Sequence, residues 1–420
     1  MDLRKFAESM DIVDLGIVSR ELELVERGLV LEEQGKTLRF RVRGAEHLEC
    51  IAGVLNTRSK LYRLLGVDRD VDAYRRILEA VEKPAKAKET NFDMKEIEVD
   101  LLKLPFIKFF PRDGGLYATS CIYIACLENS CNASIHRTMV VDRRSLVARI
   151  VPRHLHYIVE QNRSKGMETK IAIAIGAPPA ALLAAATSPP FGVFEMNVAT
   201  SIDPELRIAY TPRYGLPVPM PSAVVIEGRI TMELVDEGPF VDILALYDRV
   251  RRQPLIKVDA LYVDESQLFH VVIPSGSEHR LLQSFYREAL VWQSVSKVVP
   301  RVHKVRFTRG SGSWLHAVVS ITKAHEGDGK NAILATFAAH PSLKLVVVVD
   351  EDIDPDNIDE VEWAIATRFQ GDRDLVVIPR ARCSTLDPSS EDGLCTKIGI
   401  DATKPLHGGE MFERVRMGTR

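Results

Sequence analysis

From about Leu104 to Ile273 the chain is written in short apolar stretches set off by turn residues, and nothing else in it constrains the fold as much. The stretches are Tyr117 to Leu127, Ser134 to Asp142, Leu146 to Val151, Thr169 to Ile175, Val224 to Leu234 and Leu268 to Ile273. Strands recurring at this spacing predict a barrel-like β domain. The flanks read differently. On the N-terminal side, Arg58 to Leu65 and Asp70 to Val81 are predicted helices, followed by a polar linker from Lys83 to Thr90. On the C-terminal side, Ser275 and Glu278 have capping-box spacing before a stripe of Leu281, Leu282, Phe285, Leu290 and Trp292, which predicts a helix linking domains. The last quarter alternates. His316 to Thr322 is a strand, Asn331 to His340 a helix, Leu345 to Val349 a strand, then comes a helix with Asp354 as N-cap and Pro355 at N1, and Leu375 to Ile378 a strand. That order predicts a parallel sheet covered by helices.

A chain of 420 residues suggests two or three domains at roughly 150 residues each. Its 55 basic and 58 acidic residues leave a net charge of −3, with no basic excess to neutralise phosphates, so a nucleic-acid partner is not expected. The start has no apolar signal region, and the longest near-apolar run, Ile171 to Ala186, is short and broken by Pro178 and Pro179. No membrane association and a cytoplasmic location are therefore expected. Of the six cysteines, Cys50, Cys121, Cys126, Cys131, Cys383 and Cys395, three recur at intervals of five that fit no zinc or iron–sulfur pattern, so Cys121, Cys126 and Cys131 are read as buried strand thiols. Asn and Gln total only 15, a scarcity that fits a heat-adapted source.

No dinucleotide fingerprint or P-loop occurs. Four other segments carry candidate chemistry. In Asn132-Ala133-Ser134-Ile135-His136-Arg137, a regular strand puts Ile135 and Arg137 on one face and Asn132, Ser134 and His136 on the other; a lone arginine there also reads as a solvated edge residue. In Glu237-Gly238-Pro239-Phe240-Val241-Asp242 the Gly-Pro turn frees two carboxylates to converge on one pocket, where an arginine would keep one ionised and burial would let the other exchange protons. Two exposed acids on a hairpin is the alternative. His154 and His156 in Arg153-His154-Leu155-His156 suit a metal, an interface or plain surface. Glu195 stands alone among apolar residues, and a buried acid there needs a cation or metal.

Together these segments resemble the UbiD family of decarboxylases, which use prenylated FMN. The resemblance runs from about Phe109 almost to the C-terminus through Asp113-Gly114-Gly115, Asn132-x-Ser134-Ile135-x-Arg137, Glu237-Gly238-Pro239-Phe240, His340-Pro341-Ser342-Leu343-Lys344, Leu386-Asp387-Pro388-Ser389 and Gly399-Ile400-Asp401-Ala402-Thr403-Lys404-Pro405. It implies a mixed α+β and α/β multidomain fold: an N-terminal α/β domain (1–103), a central split β-barrel holding the flavin (104–274), a linker helix (275–300) and a C-terminal α/β oligomerisation domain with a parallel sheet (301–420). A homo-oligomer, dimeric or larger, goes with it.

By the same resemblance, Asn132, His154 and Glu195 are expected to ligate a divalent metal, manganese or magnesium, that clamps the flavin phosphate, with potassium as a companion ion. Ile135, His136, Arg137, Arg149, Ile150, Val151, Arg153, His154 and Leu155 are expected to contact the prenylated FMN, which a flavin prenyltransferase supplies. Arg137 is expected to hold the substrate carboxylate, Asp242 to donate the proton that replaces carbon dioxide, and Glu237 to tune both. The chain departs from the family pattern at His136, where tyrosine is common, at Val241, where glycine is usual, and at Ala177-Pro178-Pro179. Its compact, Asn- and Gln-poor character resembles the archaeal branch, whose member in isoprenoid synthesis converts trans-anhydromevalonate 5-phosphate to isopentenyl phosphate and CO2. The substrate expected is thus a small unsaturated carboxylic acid. An aromatic-acid decarboxylase of the polyprenyl-hydroxybenzoate type is the alternative, and a non-catalytic flavin-binding protein the third reading.

Overall fold

Val224–Glu237 and Arg251–Val263 are the two long strands of the molecule, and they pair antiparallel at the centre of its largest sheet. The structure is a computed structural model and describes residues 1–415. In order across this nine-stranded antiparallel sheet lie Tyr117–Ala118, Thr138–Asp142, Ser145–Ala148, Arg251–Val263, Val224–Glu237, Thr169–Ile175, Ile122–Leu127 and Ser130–Ile135, with Lys95–Ile97 paired to the second long strand. Ser130–Ile135 ends one edge, yet Thr138 begins the strand second from the opposite edge. Only His136 and Arg137 separate them, so the sheet must curl until its edges nearly meet. The Tyr123 hydroxyl bonds the Thr138 hydroxyl at 2.8 Å, and the His136 N–H donates to the Cys121 carbonyl at 3.1 Å across this seam. The seam explains why two predicted strands break. Tyr117 to Leu127 splits at 119–121, and Ser134 to Asp142 splits at 136–137.

Two compact units make up the chain: residues 1–68 with 79–282, and residues 69–78 with 283 onward. In the first, a four-stranded sheet of Ile12–Val18, Thr37–Val42, Glu49–Ala52 and Phe269–His270 shares one hydrophobic core with the large sheet. Leu38 and Phe40 lie in the same cluster as Ile173, Ile226 and Ile256. The helices Arg58–Leu65 and Asp70–Glu82 fall where periodicity predicts them.

The capping box at Ser275 and Glu278 does not form. Ser275 has a positive φ of 57°, and the helix Ser277–Val295 is capped from afar by Glu32, whose carboxylate accepts from the Ser277 N–H at 2.9 Å and the Glu278 N–H at 2.7 Å. Glu278 turns elsewhere. Its carboxylate accepts from the Gly53 and Leu55 N–H groups and lies 3.2 Å from His270 Nε2.

The second unit holds a five-stranded sheet in the order Arg301–Phe307, His316–Thr322, Leu345–Asp350, Leu394–Ala402, Leu375–Arg382. It is mixed rather than parallel. Leu394–Ala402 takes the parallel place beside Leu345–Asp350 and leaves Leu375–Arg382 as an antiparallel edge. The helix expected to start at Pro355 begins at Ile358 with Asn357 as N-cap, because the Asp354 carboxylate is already bound to Lys304 and to the Asp356 N–H. Nor are Cys126 and Cys131 thiols: they face each other in register across the Ile122–Leu127/Ser130–Ile135 hairpin and form a disulfide. Cys121 remains a buried thiol. Among the described residues no helix is long and apolar enough to cross a membrane.

Candidate active site

Arg137 occupies the seam, and Glu237 closes the long strand Val224–Glu237 beside it. The guanidinium meets the carboxylate in a two-point fork, Nε to Oε1 and Nη2 to Oε2, both at 2.9 Å. Glu237 is fully buried, so this fork and the Tyr117 hydroxyl, which donates to Oε1 at 3.3 Å, replace water around its charge. The Phe240 ring lies 5.0 Å from the Arg137 guanidinium carbon and supports it from one face.

The turn after Glu237 is held from below. Gly238 has φ 95°, and the Gly114 N–H donates to the Pro239 carbonyl at 2.8 Å. A Cβ on Gly114 would sit 2.2 Å from the Gly238 carbonyl oxygen, so only glycine allows this approach. Asp113 fixes the other side of the seat by accepting from the Phe109 and Phe110 N–H groups. The motif Asp113-Gly114-Gly115 thus carries Glu237-Gly238-Pro239-Phe240.

Beyond the turn, Phe240–Val241 pairs with Tyr247–Asp248, placing Asp248 opposite Phe240. Asp242, in the loop of this hairpin, is 7% exposed. Burial pushes its carboxyl up to about 6, against two backbone N–H groups and the Arg137 charge that act to lower it. Asp248 is gripped by three arginines: Arg251 at 2.9 Å, Arg137 at 3.1 Å and Arg149 at 3.5 Å. Burial works to raise its carboxyl, but the Arg251 hydrogen bond and the three positive charges outweigh it and keep it ionised. Asp248, Tyr117 and Arg251 were not among the residues read from sequence. The one available signal was an acid just before the basic run Arg249, Arg251, Arg252, and its pairing with Phe240 depends on hairpin register.

A second cluster lies on the other face of Ser130–Ile135. Asn132 Nδ2 donates to Glu195 Oε1 at 2.7 Å, and the Ala133 N–H donates to Oε2 at 2.6 Å. Glu195 opens the helix Glu195–Ile202, is 2% exposed, and is pushed by burial to about 7. Among the described residues no lysine or arginine pairs with it. A buried carboxylate without a cation, next to an amide oxygen, is a donor set that fits a divalent cation. His154 starts the helix His154–Ser164 with its ring edge-on to Phe191, centroids 5.5 Å apart. Among the described residues no hydrogen bond joins it to Asn132 or Glu195.

As alternation predicts, Asn132, Ser134 and His136 share a face: the Ser134 hydroxyl lies 3.1 Å from Asn132 Oδ1 and 2.9 Å from His136 Nε2. His136 Nδ1 is 2.9 Å from the Arg149 carbonyl, and burial lowers the ring to about 4, leaving it neutral. Of the other expected flavin contacts, Ile150 is buried with its N–H bonded to Gln253, Leu155 is buried in the core, and Arg153 reaches Ser188 at 3.3 Å. Ile135 and Val151 are half-buried.

Comparison with known proteins bears on this arrangement. Residues 79–277 match the 3-octaprenyl-4-hydroxybenzoate carboxy-lyase Rift-related domain, and residues 280–402 match the C-terminal domain of the same enzymes. The chain is 46% identical to an anhydromevalonate phosphate decarboxylase of Aeropyrum pernix, covering 99% of this chain and 95% of that one. It is 43% identical to an anhydromevalonate phosphate decarboxylase of Methanothermobacter thermautotrophicus, over 87% and 88% of the two chains. Its fold is similar to the UbiD-class enzyme HmfF of Pelotomaculum thermopropionicum in complex with FMN, with a TM-score of 0.92, 34% identity and coverage of 97% and 94%. An evolved dimeric form of that enzyme in complex with prenylated FMN is similar at a TM-score of 0.89 and 31% identity, covering 99% and 97%.

Proposed function

Because the chain belongs to the UbiD family of carboxy-lyases, we propose that it converts trans-anhydromevalonate 5-phosphate to isopentenyl phosphate and CO2. Near-full-length identity to archaeal anhydromevalonate phosphate decarboxylases supports the substrate. The observation that carries the chemistry is the Arg137–Glu237 fork with Asp242 protonatable beside it. Arg137 spends Nε and Nη2 on Glu237 and Asp248, which leaves Nη1 without a protein partner among the described residues and open to a substrate carboxylate. Glu237 and Asp248 hold the guanidinium in place. Asp242, near 6, carries a proton at mildly acidic pH and delivers it to the carbon that loses CO2.

Prenylated FMN, when bound, supplies the electron sink for carbon–carbon cleavage. Ile135, His136, Arg137, Arg149, Ile150, Val151, Arg153, His154 and Leu155 would line it. Asn132, His154 and Glu195 would hold its phosphate through manganese or magnesium, with potassium nearby; the uncompensated Glu195 charge supports this. A flavin prenyltransferase would supply the cofactor, and the cytoplasm is the proposed location. The curled sheet supports a split barrel, within the divisions 1–103, 104–274, 275–300 and 301–420. A homo-oligomer built through the last of these is supported by exposed Leu375, Val377 and Ile398, which are cross-strand neighbours on one sheet face.

Product analysis tests this reading. Enzyme reconstituted with prenylated FMN and offered the phosphorylated unsaturated acid and an aromatic acid should release isopentenyl phosphate. Turnover of the aromatic acid alone would establish the alternative, and binding of flavin without turnover of any acid would establish the third.

A further inference from the structure

Three side chains of metal-binding type converge in the second unit. Cys383 follows the edge strand Leu375–Arg382, Cys395 lies in Leu394–Ala402, and Asp387 sits in the loop between them. Both sulfurs and a carboxylate oxygen of Asp387 lie within 4.8 Å of one another. The strand pairing creates this. Ala381 faces Cys395, and the Cys383 N–H donates to the Gly393 carbonyl at 2.8 Å, so Cys383, two residues past Ala381, shares its face with Cys395.

The surroundings are those of a bound cation's outer shell. Asp387 is oriented by the Ser389 N–H at 3.0 Å and hydroxyl at 2.8 Å, both on Oδ1. Its Oδ2 is buried and is paired with the Lys344 ammonium at 2.9 Å. Lys397 is buried, bonds the Pro341 carbonyl at 2.7 Å and the Leu343 carbonyl, and places its charge near both sulfurs. One buried lysine, Lys397, and one partly exposed lysine, Lys344, beside two thiols and one carboxylate suit an anionic complex.

We propose that Cys383, Cys395 and Asp387 bind one zinc ion, with water in the fourth position. Two soft thiolates and one carboxylate are a zinc donor set. With Zn–S distances of about 2.3 Å, ligand atoms around a tetrahedral ion stand roughly 3.5–4 Å apart, which small side-chain rotations reach from the present spacing. Binding releases the two thiol protons to solvent. The complex then carries one net negative charge, two thiolates and a carboxylate against a dication, and Lys344 and Lys397 face it. Oxidation is the competing fate of two close thiols. Cys383 and Cys395 are free thiols gathered round a carboxylate, and the test below separates the two fates. The ion would tie the open edge of the sheet to the loop that carries Asp387. This assignment is independent of the proposed decarboxylation.

The test uses the full-length protein, purified in a thiol-free reductant, stripped with a chelator and titrated with Co2+. One equivalent should develop a thiolate-to-cobalt charge-transfer band in the near ultraviolet with intense tetrahedral d–d bands. The cluster of Asn132, His154 and Glu195 has no sulfur and cannot produce that band. Cys383→Ser and Cys395→Ser should each abolish it and weaken zinc binding at least about tenfold, while Glu195→Ala should keep it. A wild-type protein that develops no such band overturns the proposal without any variant. So does a band that survives both serine substitutions, or a Cys383–Cys395 disulfide found by mass spectrometry in protein kept reduced.

Discussion

Phe240 stands directly opposite Asp248 in a hairpin of two-residue strands, and this pairing brings a second carboxylate to the Arg137 guanidinium that already grips Glu237. The arginine is therefore the keystone of a buried charge cluster. Arg137→Gln leaves the buried Glu237 carboxyl without its partner, and should destabilise the fold by about 3–5 kcal/mol. The double variant Arg137→Gln/Glu237→Gln should recover part of that loss, because no charge is then stranded at position 237. Urea unfolding of the three proteins checks the order. Equal stability of the single and double variants would mean the charge is not what the fork compensates.

Asp242 sets the pH range of turnover. With a carboxyl near 6, the protonated form it needs as donor falls about tenfold for each pH unit above that value, so kcat should decline on the alkaline side. Asp242→Asn should lower turnover by about 10²–10⁴ and slow the exchange of solvent deuterium into added product to a similar extent, while flavin still binds. Wild-type exchange in Asp242→Asn would transfer the donor role to Glu237.

A phosphorylated substrate needs a cation besides Arg137, since one guanidinium cannot hold both a carboxylate and a phosphate at two points. Arg251, with its side chain 18% exposed and bonded to Asp248 at 2.9 Å, is the cation we propose for it. Arg251→Gln should cut kcat/KM for the phosphorylated acid by about 10–100-fold, as expected for a hydrogen bond to a charged group. It should lower the weaker activity on the unphosphorylated acid by a smaller factor, the share due to a looser Asp248 beside Arg137. Equal losses on both acids would place the phosphate elsewhere.

Glu195→Ala should release metal and flavin during dialysis without unfolding the protein. Metal analysis and flavin absorbance after dialysis measure this. Full retention of both would remove Glu195 from the ligand set.

Glu32 predicts a pH dependence of stability. Its carboxyl rises from 4.5 to about 7, chiefly through burial, with the nearby Glu278 charge adding to the rise. The folded state therefore binds this proton more tightly than the unfolded chain. The stabilisation is complete below about 4.5 and is lost as pH climbs through 7, a change of roughly 3 kcal/mol. Glu32→Gln cannot ionise, so between about pH 5 and pH 8 its stability should fall less than that of the wild type. Parallel profiles would show that Glu32 ionises with an ordinary carboxyl value.

Local chemistry in the sequence was enough for the helices Arg58–Leu65 and Asp70–Glu82, whose apolar spacing and ends are visible within one segment. The shared face of Asn132, Ser134 and His136 follows from alternation alone. The convergence of Glu237 on Arg137 was legible only because the Gly-Pro turn allowed it and the family resemblance demanded it. What stayed hidden depends on partners far along the chain. Glu32 caps a helix that starts 245 residues later, and Asp248 needs the register of a short hairpin. The Cys126–Cys131 bond needs the same kind of register, since spacing alone gives no reason for that pair to face each other. The antiparallel edge at Leu375–Arg382 was missed because Leu394–Ala402 takes the place beside Leu345–Asp350.

The contact between Gly114 and Gly238 bears on how this catalyst can be altered. No side-chain carbon separates the two backbones there, so a mutational library that samples position 114 will return mostly misfolded protein and report nothing about selectivity. Val241, Leu244 and Leu246 sit on the same hairpin as Asp242 but do not form that contact. Diversity introduced at those three positions, with 114 and 238 kept constant, varies the surroundings of Asp242 while preserving the seat that aims its carboxylates.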